Sequence, residues 1–168
     1  MNDNRERSGI ERELRMSRMI DARPGRVFRA WTDPREVAEW WGPHGFTNPV
    51  CELDVRPGGR IRIDMTSPEG TVYPMKGFFH EITPHERLVV TTSAIEDEEG
   101  NPGLEVVNII TFDDLEGMTR LTLKAAVVKS LPEAEGALEG MEEGWSQSLS
   151  RLARHLANAG SRGVKSAV

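Results

Sequence analysis

The sequence predicts an α+β fold: a curved antiparallel sheet of seven strands, covered on one face by a long C-terminal helix, with two short helices after the first strand. Three observations lead there. Apolar side chains alternate with polar ones through the middle of the chain, and turn signals interrupt them at intervals of roughly ten to fifteen residues. An earlier stretch of the same period is followed by two short helical patterns. Near the C-terminus, Leu138, Met141, Trp145, Leu149, Leu152 and Leu156 recur at steps of three and four, which puts them on one helical face.

Taken in order, Leu14, Met16 and Ile20 give a period of two within Glu13 to Asp21, a first strand that Ala22-Arg23-Pro24 breaks. Pro24 suits a first helical turn, and Val27, Phe28 and Trp31 supply the apolar side of a helix running to about Thr32. Asp33-Pro34 ends it. A second short helix covers Arg35 to Trp40, and Gly42-Pro43 closes it. From Thr47 the period becomes alternating. Cys51, Leu53 and Val55 form one face of a strand, Pro57-Gly58-Gly59 turns the chain, and Ile61, Ile63 and Met65 continue on the next. Further strands are expected at Val72 to Ile82, Arg87 to Ile95, Leu104 to Phe112 and Met118 to Val128, with an acidic loop from Glu96 to Gly103. Short connections make neighbouring strands antiparallel. One face of such a sheet needs a cover, and the terminal helix is the element long enough to provide it.

That helix is expected from Ser130 to Ala159, with Gly160 as its stop. Acidic residues load its first half, and Arg151, Arg154 and His155 load its last, as the helix dipole favours. Its start is open. Ser130 and Glu133 fit a capping box, but Gly136, Gly140 and Gly144 each disfavour helix by about 1 kcal/mol relative to alanine, which moves a firm start toward Leu138. The same glycines, spaced by four, alternatively let another backbone or a cavity wall come close.

The chain has 168 residues, enough for one domain with an ample core, expected at residues 10–159 between flexible termini at 1–9 and 160–168. Cys51 is the sole cysteine, so an internal disulfide is excluded and so is a cysteine-based zinc cluster within the chain. The net charge of −6 argues against nucleic acid as a partner and against anionic membrane surfaces. No run of eighteen apolar residues occurs and no apolar signal core follows Met1, so the expectation is a soluble cytoplasmic protein without membrane insertion.

Several segments together carry a family likeness. Val27-Phe28-Arg29-Ala30-Trp31-Thr32-Asp33-Pro34, Trp40-Trp41-Gly42-Pro43, Gly45-Phe46-Thr47, Asp54-Val55-Arg56-Pro57-Gly58-Gly59, and the helical Gly140-Met141, Gly144-Trp145, Ser148-Leu149 and Leu152 resemble the START-like SRPBCC superfamily. More narrowly, they resemble its branch named for homology to the C-terminal domain of the activator of the heat-shock-protein-90 ATPase. The resemblance covers Leu14 to Leu156. It implies the helix-grip (START-like) fold, a strongly bent sheet wrapped around the C-terminal helix, and a hydrophobic ligand held between the two.

The candidate site follows from residue chemistry. Aromatic and methionine side chains can line an apolar pocket with adaptable walls, or can simply fill a core. The ligand-binding candidates are Trp41, Phe46, Met65, Tyr73, Met75, Met141 and Trp145, with His44, in a glycine-flanked loop beside two tryptophans, as the polar contact. Arg62 and Asp64 read as a solvated strand face, or, with the opposite parity, as groups that orient a polar ligand. No catalytic signature, metal-ligand spacing or cofactor motif is present, and Ser146, Ser148 and Ser150 have no histidine and carboxylate to activate them. Three functions are consistent with this pattern. The first is binding of a small apolar or amphipathic ligand. The second, implied by the resemblance, is a chaperone-associated interaction protein. The third is a cyclase-like or hydrolytic enzyme, whose mark would be a buried histidine or carboxylate facing the cavity. A homodimer through an edge strand or an exposed aromatic is compatible with each.

Overall fold

The computed structural model describes residues 12–166, with side-chain surroundings as far as Asn158. Strand β1 (Arg12–Ile20) leads into helices α1 (Pro24–Thr32) and α2 (Pro34–Trp40). Strands β2 (Thr47–Leu53), β3 (Arg60–Thr66), β4 (Val72–Thr83), β5 (Arg87–Glu96), β6 (Pro102–Leu115) and β7 (Met118–Ser130) follow. A turn of 3₁₀ helix (Pro132–Ala134), a short α3 (Glu135–Glu139) and the long α4 (Met141–Ser166) complete the chain.

The seven strands form one antiparallel sheet in the order β1-β7-β6-β5-β4-β3-β2. Every step but one joins strands that are consecutive in the chain, because two-residue and slightly longer turns can link only antiparallel neighbours. The exception is β1, which returns to pair with β7 after the helices have bridged the ends of the sheet. Register shifts at Thr47/Val50, Phe79/Glu81 and Glu105/Val106 leave extra residues in β2, in β4 (His80) and in β7 (Val128, opposite Glu105/Val106), which bends the strands and raises their twist. The turn after β2 depends on Gly59, where a Cβ would collide with the Asp54 carbonyl oxygen.

The alternation read from the sequence is the alternation of burial. Ile61 and Ile63 on β3 are buried between exposed Arg60 and Arg62, and Leu121, Leu123 and Ala125 on β7 are fully buried. On the concave face Ile61, Ile63, Leu121 and Leu123 share one core cluster with Leu149, Leu152 and Leu156 of α4 and with Val27, Trp31, Val37 and Trp40 of the short helices. A second, smaller cluster joins Val106, Ala125 and Val127 to Leu138 of α3, with Leu14, Leu104 and Met141 packed on it.

The short helices are positioned by their ends. Pro24 starts α1, and Asp33 caps α2 by accepting from the Arg35 backbone N–H at 2.9 Å. The Trp40 indole N–H donates to the Ala30 carbonyl at 2.9 Å, which locks α2 against α1 through a fully buried ring.

The C-terminal helix differs from the expectation at both ends. Ser130 is the last residue of β7 and caps nothing; Leu131 precedes the 3₁₀ turn without a side-chain cap bond. The segment between is broken, since Gly140 takes the bridge conformation (φ −90°, ψ 0°) and separates α3 from α4. At the other end the helix passes through Gly160 to Ser166. Glycine ends a helix when it adopts the left-handed conformation; within a helix it costs only about 1 kcal/mol, which neighbouring residues can offset. The expectation for residues 1–9 lies outside the described residues, as do residues 167 and 168.

Asp33 gives the first test. Burial pushes its carboxyl up, but the Arg35 N–H and guanidinium and the Arg29 charge outweigh burial and hold it below the ordinary aspartate value of 3.8. A carboxylate with a depressed pKa contributes stability above its ordinary pKa and loses it as pH falls. Asp33→Ala should lower stability at pH 7 by about 1 kcal/mol, a typical cap loss. In urea melts the gap between variant and parent should narrow once pH drops below 3.8.

Candidate functional site

Between the first turns of α4 and the concave faces of β3 to β6 lies a cavity of about 220 Å³. Met65 of β3 and Met75 of β4 form one wall, and Thr92, Ser93 and Ala94 of β5 with Leu104, Val106 and Asn108 of β6 form the floor. Met141, Gly144, Trp145 and Ser148 of α4 form the roof, and the loop Trp41-Gly42-Pro43 closes one side. A smaller recess of about 30 Å³ opens beside it, lined in part by Trp31, Trp41, Met75, Asn108 and Trp145.

The loop after α2 is held in place almost entirely by side chains of α4. Gly42, at φ +94°, turns the chain so that its N–H donates to Ser148 Oγ at 3.1 Å, and the His44 N–H donates to Gln147 Oε1 at 2.9 Å. The Arg151 guanidinium then donates through Nη1 to the carbonyls of Trp41 (2.9 Å), Gly42 (3.0 Å) and Pro43 (3.0 Å), and through Nη2 to that of Glu39 (3.0 Å). The Glu39 and Trp41 carbonyls lie at the C-terminus of α2, where a cation is favoured, and those of Gly42 and Pro43 belong to the loop that follows. Burial lowers the Arg151 pKa and the Glu39 carboxylate raises it again. The Asn48 amide adds two donations from the other side, to the Ala38 and Trp41 carbonyls.

Trp41 and Trp145 meet edge to face at 5.3 Å across the cavity wall. Behind them Trp31 stacks on Trp145 at 6.1 Å and contacts Trp40 at 4.7 Å, so four indoles form one continuous layer at this end of the molecule. No lining residue carries an acid, a base or a charge; the polar side chains in the wall are Thr92, Ser93, Asn108 and Ser148. Among the described residues no cluster of three metal-ligating side chains occurs. The arrangement can enclose a compact apolar molecule and offer it a few hydrogen bonds.

Of the eight residues singled out in the sequence, Trp41, Met65, Met75, Met141 and Trp145 line this cavity. Phe46, Tyr73 and His44 do not. Tyr73 shares the face of Met75 but lies two residues nearer the start of β4, where it is 49 % exposed and packs against Phe46 at 6.0 Å. His44 instead lines an open surface groove with Glu39, Arg154 and His155, and its backbone N–H donates to Gln147. Arg62 and Asp64 pair with each other at 3.1 Å on the opposite side of β3 from Ile61, Ile63 and Met65, which excludes the parity that would aim them inward. The glycine stripe makes no close backbone approach, since a Cβ at Gly136 or Gly144 would meet no atom within 4 Å.

Residues that sequence reasoning did not place here are Asn108, the β5 segment, Ser148 and Arg151. Asn108 had a visible signal: it interrupts the apolar run Val106-Val107-Asn108-Ile109-Ile110 at an inward position. Arg151 had none, because one more cation near a helix end reads as dipole compensation.

A bent antiparallel sheet closed on a C-terminal helix, with an apolar cavity between them, defines a START-like protein of helix-grip architecture in the SRPBCC superfamily. The chain belongs to the family described as Activator of Hsp90 ATPase homolog 1-like protein, whose family model matches residues 21–157. Solved structures agree over nearly the whole chain. A protein of Arthrobacter aurescens is 26% identical, with a TM-score of 0.76, over 87% of this chain and 86% of its own. A protein of Silicibacter pomeroyi is 28% identical (TM-score 0.73; 88% and 99% covered), and one of Nitrosomonas europaea is 27% identical (TM-score 0.72; 89% and 96%). No curated protein matches the sequence. No helix among the described residues is long and apolar enough to cross a membrane.

Two measurements probe this geometry. Arg151→Met should destabilise the protein by about 2–4 kcal/mol, the scale of one or two charge-assisted hydrogen bonds, and Arg151→Lys should not restore it because one ammonium cannot span four carbonyls. Equilibrium urea unfolding reads both. Cys51, half-buried on β2, has its thiol pushed up to about 11, first by burial and then by Asp33 and Glu52. Its alkylation by iodoacetamide at pH 8 should therefore run at least about tenfold slower than that of an exposed cysteine, and should rise steeply with pH.

Proposed function

We propose that the protein binds a small apolar or amphipathic molecule in the cavity between α4 and the sheet. The observation that carries this reading is the cavity itself. About 220 Å³ of space is walled by two tryptophans and three methionines beside the packed core. Apolar wall left facing water is unfavourable, and a ligand that covers it recovers the loss. A wall of methionines, each with several rotatable bonds, can close on ligands of somewhat different shape. The lack of any titratable group in the lining supports binding over acid–base or nucleophilic chemistry at this place.

The family's description suggests a second reading, association with the chaperone whose ATPase the description names. An ATPase assay and pull-down with the chaperone of the same organism would test it; stimulation that depends on this protein would favour it over ligand storage or transport.

Within the cavity, α4 divides into two functions. Met141 and Trp145 line the space, whereas Leu149, Leu152 and Leu156 are buried in the core cluster. Native mass spectrometry of the protein purified from its own host should show a small molecule released on activation. Trp145→Ala should reduce its retention more than Leu152→Ala does, while Leu152→Ala, at a fully buried site, should cost roughly 2–5 kcal/mol of stability. Equal effects of the two substitutions on both measurements would remove the division.

A further inference from the structure

The cavity opens toward one end of the sheet, and the inward-facing rows of the strands show which end. On β3 the row runs from buried Ile61 and Ile63 to half-buried Met65. On β5 it runs from buried Leu88 and Val90 to half-buried Thr92 and Ala94, and on β6 from buried Ile110 to half-buried Leu104. In each row exposure rises toward the turns that follow β3 and β5. On β4 the same row continues beyond the cavity. Met75 is 6 % exposed, and Tyr73, the next residue of the row toward that end, is 49 % exposed.

Tyr73 is joined to the cavity wall on two sides. It is the cross-strand partner of Met65, which lines the cavity, so the two side chains stand on one face of the sheet. Its ring also packs on half-buried Phe46, with centroids 6.0 Å apart and planes tilted by 38°. Phe46 in turn touches the wall: its Cβ and the Met65 sulfur lie 3.5 and 3.6 Å from the point that a Cβ on Gly42 would occupy. Phe46 and Tyr73 thus form an aromatic lip continuous with Gly42 and Met65. Exposed apolar surface that borders a binding cavity is surface a ligand can cover.

Size points the same way. At about 220 Å³ the cavity is about half as large again as the ~150 Å³ space known to hold benzene, so it takes a body of roughly ten heavy atoms. A longer molecule must emerge from the mouth, where Met65 leads onto the lip. Neither the lining nor the two lip residues carry a charge, so an ionic group at either place would be uncompensated.

Resting on the ligand-binding reading above, we infer that Phe46 and Tyr73 are an outer subsite, and that the ligand is a neutral molecule of two apolar parts. The inner part fills the cavity among Met75, Met141 and Trp145. The outer part is flat and lies against the Tyr73 ring, as aromatic faces favour. The cavity then selects what enters, and the lip selects how far it extends.

Titration of the protein at pH 7 with naphthalene and with N-phenyl-1-naphthylamine, followed by quenching of tryptophan fluorescence, tests the assignment. The first compound matches the inner part alone, and the second adds an uncharged ring beyond it. The amine should bind at least about fivefold more tightly than naphthalene, the scale of one added aromatic contact. Tyr73→Ser should weaken the amine by at least about fivefold and naphthalene by less than about twofold, and Tyr73→Phe, which keeps the ring, should restore the amine to within about twofold. Equal affinity of the unaltered protein for the two compounds, no effect of Tyr73→Ser on the amine, or equal losses for both compounds overturns the outer subsite while leaving a ligand-binding cavity standing. Failure of both compounds to bind the unaltered protein overturns the ligand-binding reading and this one together. Native mass spectrometry of the same samples checks the other occupant: a dimer that Tyr73→Ser dissociates assigns the lip to a second copy of the chain and overturns its role in ligand binding. Should Tyr73→Ser not fold, Phe46→Ala should give the same split between the two compounds, and its absence overturns the subsite.

Discussion

Burial of the α4 leucine stripe against the concave face of the sheet is the contact on which the rest of the structure depends. Leu149 and Leu152 are at most 1 % exposed, and they belong to one core cluster with residues of β1, β3, β4, β5, β6 and β7 and of both short helices. Neither partner is self-sufficient. An antiparallel sheet with one apolar face needs a cover, and a helix carrying a single apolar stripe is marginal in water without a surface to lie on. The bend in the strands follows from the same requirement, since a flat sheet would touch a helix along a line whereas a curved one surrounds it.

Because the leucines fix the second half of α4, the first half is free to do something else. From Met141 to Ser148 the helix supplies the roof of the cavity through Met141, Gly144, Trp145 and Ser148. The helix then reaches back over the opening by polar means. Gln147, Ser148 and Arg151 take hold of the backbone from Glu39 to His44 and hang Trp41 and Pro43 at the side of the cavity. One helix therefore supplies the seal, the roof and the fastening of the side wall, each from a different set of residues along one or two faces.

The fold was largely legible in the residues because its determinants are local. Alternation in Ile61-Arg62-Ile63 or in the run before Gly117, punctuated by Pro57-Gly58-Gly59 and Glu116-Gly117, states strand, parity and hairpin in a few letters. The family likeness of the segments from Val27 to Leu152 pointed to the same architecture, and the family match confirms it. The ends of the last helix were less legible, since whether a glycine terminates, breaks or merely weakens a helix depends on backbone angles that composition does not state. At Gly140 the helix breaks and at Gly160 it continues. The site was legible where parity decides. Met65 and Met75 followed from alternation, as did the outward direction of Arg62 and Asp64. It was illegible where the decisive contact joins residues a hundred positions apart. Arg151 and the carbonyls of the loop after α2 are an example, and so is the bond from the His44 backbone N–H to Gln147.

All four tryptophans of the chain, Trp31, Trp40, Trp41 and Trp145, lie in the one indole layer behind and beside the cavity. With neighbouring ring centroids 4.7 to 6.3 Å apart, their excited states must couple, so near-ultraviolet circular dichroism should be dominated by this cluster and not by independent chromophores. The intrinsic optical signal thus views the protein through a single window. Fraying at strand ends distant from the indole layer would pass almost unseen by tryptophan fluorescence, and an apparently two-state transition recorded that way would describe chiefly the cavity end of the molecule.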